Sequence, residues 1–208
     1  MTSSREDRIA KLPAHLQERL RKRLAGTASQ VDVIPPADRT APLPLSPAQQ
    51  RLWFLHQFQS GDASYHSGTA LRLTGALDIP ALTNALTALQ ARHESLRTTF
   101  DEVDGIGRQI VHDELGMPLR IVSLGSTDLH ELLVEEYSRP FDLRQGPLFR
   151  ALLVHVTDRE HVLLLGAHHI VIDGWSMGIL VTELGALYSG RSLPELSLQY
   201  PDFAVWQR

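Results

Sequence analysis

From Ile9 the apolar positions step by three or four residues through Leu12, Leu16, Leu20 and Leu24, the spacing of one helix face. Ser3-Ser-Arg-Glu6 just ahead has the form of a capping box, Pro13 splits the stretch into two short helices, and Gly26 suits a helix stop. Residues 33–47 then hold Pro35, Pro36, Pro42, Pro44 and Pro47, the composition of an extended linker, which puts a boundary near Ala41 and separates residues 1–40 from 41–208. Ser46 and Pro47 open a further helix, with an apolar face expected at Leu52, Leu55 and Phe58 and an end at Gly61-Asp62. Residues 69–74 alternate as a half-buried strand does, and Asp78 caps a helix lined by Leu82, Ala85, Leu86 and Leu89. Strands at 96–100 and 108–112 flank Asp104-Gly105, a hairpin signal. Leu129, Leu132, Leu133 and Tyr137 mark a helix stopped by Pro140, residues 148–157 and 161–167 read as two strands around Asp158-Arg-Glu160, and a last helix covers 177–188. Helices and strands interleave with hairpins, which predicts an α/β (α+β) fold with a mixed β-sheet flanked by helices.

Composition narrows the class. A chain of 208 residues with 43% hydrophobic content can bury one sizeable core. No apolar run approaches the roughly 20 residues that span a bilayer, and the N-terminus is polar where a signal peptide needs an apolar stretch. The expectation is a cytoplasmic protein without a membrane partner. The absence of cysteine excludes a disulfide framework, a thiol nucleophile and cysteine-ligated zinc. A formal net charge of −4 argues against nucleic acid as a partner. Arg19, Arg21, Lys22 and Arg23 make the second N-terminal helix locally basic, either a solvated face or a docking segment for an upstream protein.

The chemistry concentrates in Ala167-His168-His169-Ile170-Val171-Ile172-Asp173-Gly174-Trp175-Ser176, where a buried strand ends and a loop begins. Side chains alternate along a strand, so two adjacent histidines point to opposite sides and take two separate roles. An imidazole titrates near neutral pH and serves as general base or hydrogen-bond anchor in acyl transfer. Packing or surface placement is the ordinary alternative. Metal ligation needs a third ligand, and no Cys or second His-rich cluster lies near this loop. Asp173 either orients an imidazole or pairs with a cation elsewhere; Gly174 permits a tight turn, and Ser176 suits a helix N-cap.

This stretch resembles the His-His-x-x-x-Asp-Gly motif of the condensation domains of nonribosomal peptide synthetases. Ser46-Pro-Ala-Gln-Gln-Arg-Leu-Trp-Phe-Leu55, Arg92-His-Glu-Ser-Leu-Arg-Thr-Thr-Phe100 and Tyr200-Pro-Asp-Phe-Ala-Val-Trp206 resemble three further motifs of that family, in the right order. The resemblance covers 41–208 and implies a chloramphenicol acetyltransferase-like lobe, the N-terminal of two, with the second lobe and its later motifs absent. It implies that His169 is catalytic, by accepting a proton from the amine, positioning that amine or stabilising the tetrahedral intermediate. It implies that His168 packs and orders the loop. By the same resemblance Asp173 is expected to be structural and to pair with Arg97 of the second motif, preferred by position to Arg92. It implies upstream and downstream carrier proteins as partners, with substrates as thioesters on their phosphopantetheine arms, no bound cofactor and no metal. Residues 1–26 are a candidate docking element for an upstream synthase. Without the second lobe the chain is expected to be inactive. An epimerization lobe, a coenzyme A-dependent acyltransferase lobe and a non-catalytic carrier-docking lobe are the alternatives; Asp-Gly-Trp-Ser and the four-motif order favour condensation. Trp53, Phe54 and Trp206 read as core or lobe-interface aromatics, and residues 140–149 as a turn-rich connection without chemistry.

Overall fold

The computed structural model describes residues 33–58, 63–116 and 119–208. The chain divides into the units Met1–Pro35 and Pro36–Arg208; the fold described is that of the second. The helical reading of residues 9–24, the docking segment 1–26 and the helix stop at Gly61-Asp62 lie outside the described residues.

The elements run β1 (Leu43–Pro44), α1 (Pro47–Phe58), β2 (His66–Thr74), α2 (Ile79–Arg92), a 3-10 turn (Glu94–Arg97), β3 (Thr98–Val103), β4 (Ile106–Val111), β5 (Leu119–Ser123), α3 (Leu129–Ser138), β6 (Phe149–Thr157), β7 (Glu160–His168), α4 (Gly174–Tyr188) and α5 (Tyr200–Trp206). Among the described residues the strands form two sheets. A three-stranded sheet has the order β1-β4-β3, and a four-stranded sheet the order β2-β7-β6-β5. The second is mixed, because β5 pairs parallel with β6 while the other neighbours are antiparallel.

The four-stranded sheet is covered on both faces. Ala151, Leu153, Leu163, Leu165 and Ala167 face the main core with Leu82, Leu86 and Leu89 of α2 and Leu180 and Leu184 of α4. Their alternates Leu152, Val154, Val162 and Leu164 meet Leu129, Leu132, Leu133 and Tyr137 of α3. Burial on both faces explains why β7 reads as an unbroken apolar run and not as an alternation. Gly68 of β2 has no room for a side chain beneath α3: a Cβ there would lie 3.0 Å from the Tyr137 ring and 2.9 Å from the Leu165 carbonyl.

Local chemistry accounts for most boundaries. Asp78 caps α2 by accepting from the Ala81 N–H at 2.8 Å, and Asp128 caps α3 through Glu131 N–H at 3.0 Å. The β3–β4 hairpin pairs Val103 with Ile106, and Asp104 (φ 53) and Gly105 (φ 75) both adopt the left-handed conformation a two-residue turn of this hand requires. Its first strand starts later than the sequence suggests, because Leu96 belongs to the 3-10 turn.

The face of α1 agrees with expectation at Leu52, which packs against the core, and differs elsewhere. Its buried residues are Gln49 and Trp53, whereas Phe58 is 72% exposed and Phe54 61%. The helix docks through the Gln49 amide, which takes the Ser46 N–H at 2.9 Å and donates to Gln109 Oε1 at 3.0 Å. A glutamine inside the buried stripe hides that stripe from a hydrophobic reading. The connection 140–149 buries Phe141, Leu143 and Leu148.

Candidate active site

His168 is the last residue of β7, and by alternation from Val162 and Leu164 it points to the α3 side of the sheet. It is 3% exposed, with the rings of His56, Tyr65, His66 and Phe141 at centroid distances of 6.1 to 6.5 Å. Its Nδ1 accepts from the Ile170 N–H at 3.1 Å, so the ring proton resides on Nε2. Burial, reinforced by His56, His66 and His169, pushes its pKa from 6.5 down to about 3. The imidazole is therefore a neutral packing group that turns the chain out of the strand.

A pH dependence follows. The unfolded chain takes up a proton on this imidazole below 6.5 while the folded chain does so only near 3, so stability is complete above 6.5 and falls with pH between the two values. At pH 5 the loss is about 2 kcal/mol. Urea melts at pH 7 and pH 5 measure it, and His168→Asn, which keeps an acceptor for Ile170 but cannot titrate, is expected to flatten the slope.

His169 stands one residue past the strand end. It is exposed, its N–H donates to the Tyr65 carbonyl at 2.7 Å, and its Nδ1 lies 3.2 Å from Ser67 Oγ. The residue lines a cavity of about 440 Å³ shared with His93, Asp173, Leu180, Glu183 and Leu198. The two histidines thus have separate surroundings, one in the core and one at a cavity wall.

Asp173 is the N-cap of α4. Its Oδ1 accepts the Ser176 hydroxyl at 2.6 Å and the Ser176 N–H at 2.8 Å. These bonds, the hydroxyl's above all, hold the carboxyl below the usual carboxylate range, and nearby His169 adds to the effect. Ser176 sits at the third helical position and donates to the cap; it is not the cap itself. Gly174 needs no left-handed backbone, and nothing lies within 4 Å of a Cβ placed on it. Instead of allowing a tight turn, it borders an open groove with Ser67, Gly68, Met177 and Gly178.

The pairing of Asp173 with Arg97 does not form. Arg97 donates to the His112 carbonyl and lies 3.9 Å from Glu94 across its own 3-10 turn; among the described residues it shares no ion pair with Asp173. The turn directs the guanidinium towards the end of β4, while Asp173 is satisfied by its own helix. Asp173→Ala is therefore expected to cost about 1 kcal/mol, the worth of an N-cap, and not the roughly 3–5 kcal/mol of a broken buried pair. Chemical denaturation of that variant distinguishes the two.

Glu183, which sequence reasoning passed over, lines the same cavity together with His93. His93 Nε2 is 2.6 Å from Glu183 Oε2, and Arg92 Nε is 3.2 Å from it, joining the end of α2 to α4. Glu183 is the one acidic residue of α4; nothing in its local sequence names its partner. Asp202 of the fourth motif lies outside that lining. Buried at 3% exposure, it closes a capping box with Gln199 and pairs with Arg39 at 2.7 Å, while Arg39 also binds Glu94.

A model of the condensation domain family matches residues 40–208, and the chain belongs to that family. Its relatives are nonribosomal peptide synthetases. It is 44% identical over 196 residues to a linear gramicidin synthase of Brevibacillus parabrevis, a match covering 88% of this chain and 2% of that protein. It is 47% identical over 199 residues to malpibaldin synthetase of Mortierella alpina, covering 88% and 4%. The solved complex of the X-domain and OxyB from teicoplanin biosynthesis superposes with a TM-score of 0.78 at 34% identity, covering 86% of this chain and 40% of that one. The first condensation domain of the calcium-dependent antibiotic synthetase, in complex with a substrate analogue, gives 0.69 at 25% identity, covering 80% and 43%. The chain spans less than half of each of these proteins. Its architecture is the chloramphenicol acetyltransferase-like α/β fold of condensation domains, with mixed sheet flanked by helices.

Proposed function

We propose that this chain is the histidine-bearing N-terminal lobe of a peptide-bond-forming condensation domain, residues 41–208, with His169 as its catalytic residue. The observation that carries the reading is the exposed His169 imidazole at the wall of the 440 Å³ cavity, in a chain of this family. The substrates are an upstream aminoacyl or peptidyl thioester and a downstream aminoacyl thioester, each on the phosphopantetheine arm of a carrier protein. The acceptor nitrogen attacks the thioester carbonyl, a tetrahedral oxyanion forms, and its collapse expels the thiolate and leaves an amide. The amine loses one proton, and the departing sulfur takes one up. His169 stands where it can accept the first, hold the amine or stabilise the oxyanion. His168 and Asp173 act by shaping the loop, the former by packing and the latter by anchoring α4.

Only one wall of a two-lobe tunnel is built from these residues, so the isolated chain is inactive and the second lobe restores turnover. Intact-mass analysis of loaded carrier proteins tests this: amide appears with both lobes and not with the chain alone. Efficient amide formation by the chain alone overturns the half-site argument. A second reading, a lobe that only docks partners, is favoured by one observation, that the superposing X-domain is in complex with OxyB. Absence of amide with both lobes present selects it.

A further inference from the structure

We propose that Ser67 is a positioning residue for His169: it holds the imidazole by Nδ1 and presents Nε2 to the reacting groups. The inference rests on the reading of His169 as the catalytic residue.

The sheet register brings the two together. β2 pairs antiparallel with β7, His66 opposite His168 and Ser67 opposite Ala167. The ladder continues one step past the strand ends, where the His169 N–H donates to the Tyr65 carbonyl at 2.7 Å. Tyr65 is thus opposite His169, and Ser67, two residues on, is its diagonal neighbour on the same face, within reach of a long side chain. Ser67 Oγ meets Nδ1 at 3.2 Å. Nε2 carries no hydrogen bond among the described residues.

Tyr65, just ahead of β2, and the first two residues of that strand have separate tasks. Tyr65 fixes the His169 backbone, and His66, held through Nδ1 on the Tyr137 carbonyl at 2.7 Å, packs its ring edge-on to His168. Ser67 touches the side chain of His169 itself. An exposed imidazole with one χ1 and one χ2 to fix samples several orientations, and a single hydrogen bond at Nδ1 selects those with Nε2 outward. Asp173 does not do this: its Oδ1 is turned to Ser176 of its own helix, and among the described residues it makes no hydrogen bond to His169. Orientation is therefore delegated to a hydroxyl on the neighbouring strand. A serine has one donor and two acceptor sites, so it serves the ring whichever of the two atoms carries the shared proton.

The test has two arms. Imidazole ¹⁵N spectra of the 208-residue chain are recorded for wild type, Ser67→Ala and Ser67→Thr, and single-turnover amide formation is measured for the same variants and His169→Ala in the two-lobe domain. Ser67→Ala is expected to move the His169 ring resonances and slow amide formation about tenfold, the worth of one ordinary hydrogen bond, with carrier-protein KM unchanged. Ser67→Thr, which keeps the hydroxyl and suits a strand, restores both. Unchanged ring resonances in Ser67→Ala overturn the inference, as does an unchanged rate in a background where His169→Ala is inactive. If His169→Ala itself keeps full activity, it is the catalytic assignment that has failed, and the role of Ser67 falls with it.

Discussion

His169→Ala will slow amide formation in the two-lobe domain by about 10²–10⁴-fold, the usual contribution of a positioned general base. The melting temperature of the variant will stay within about 2 °C of the parent. The second expectation comes from the contacts. The side chain is exposed and among the described residues its ring has one hydrogen bond, to Ser67, while the bond that fixes its place in the ladder runs from its backbone N–H to Tyr65 and survives truncation. Single-turnover rates and thermal melts measure the pair. A loss smaller than 10²-fold assigns His169 to holding the amine instead of taking its proton, and a collapse of the melt reverses the roles of the two histidines.

Glu136→Ala will cost about 3–5 kcal/mol, or roughly 10 °C in melting temperature for a chain of this size. Glu136 is 3% exposed and meets Arg139 at 2.7 Å, Arg120 at 3.0 Å and Arg150 at 3.3 Å. When the carboxylate is removed, Arg120 and Arg139, both about half exposed, regain water. Arg150 cannot, because its side chain is 6% exposed. Burial already lowers its pKa to about 10, with Arg139 acting in the same sense and Glu136 opposing. It also caps the end of α3, donating to the Glu136 carbonyl at 2.8 Å and to that of Arg139, and lies 3.9 Å from the centre of the Phe141 ring. Phe141 packs on His66 at 4.8 Å and on His168 at 6.3 Å, so the penalty falls beneath the histidine loop. Chemical denaturation reads the cost, and Glu136→Ala/Arg150→Met should recover most of it by removing the stranded charge. A single-variant loss under 1 kcal/mol would show that Arg150 finds water after all.

Legibility of the fold followed the range of the interaction involved. Asp78 with the run Leu82, Ala85, Leu86 and Leu89 forms the capped and buried helix its spacing predicts, because cap and stripe are set within one or two turns. The Asp104-Gly105 hairpin is equally local. β5 has no such local signal: Leu119–Ser123 is five residues long, and what makes it a strand is parallel pairing with Leu119↔Ala151 through Ser123↔His155, about thirty positions away. The division into two sheets is likewise a property of pairing.

The candidate site shows the same division. By itself the sequence determined the four motifs and their order, hence the family, and the separation of His168 from His169, since a two-residue period sends neighbours to opposite sides wherever the chain is extended. The resemblance assigned packing to His168, but only the tertiary structure supplies the cause, which is α3, Phe141 and His66 closing over one face. It also decided the partners of the charges. Asp173 turned to Ser176, Arg97 to His112, and His93 and Arg92 to Glu183. A charge pair needs two side chains within about 4 Å, and residues 90 positions apart meet at that distance only through the packing of α2 on α4, which no local pattern specifies.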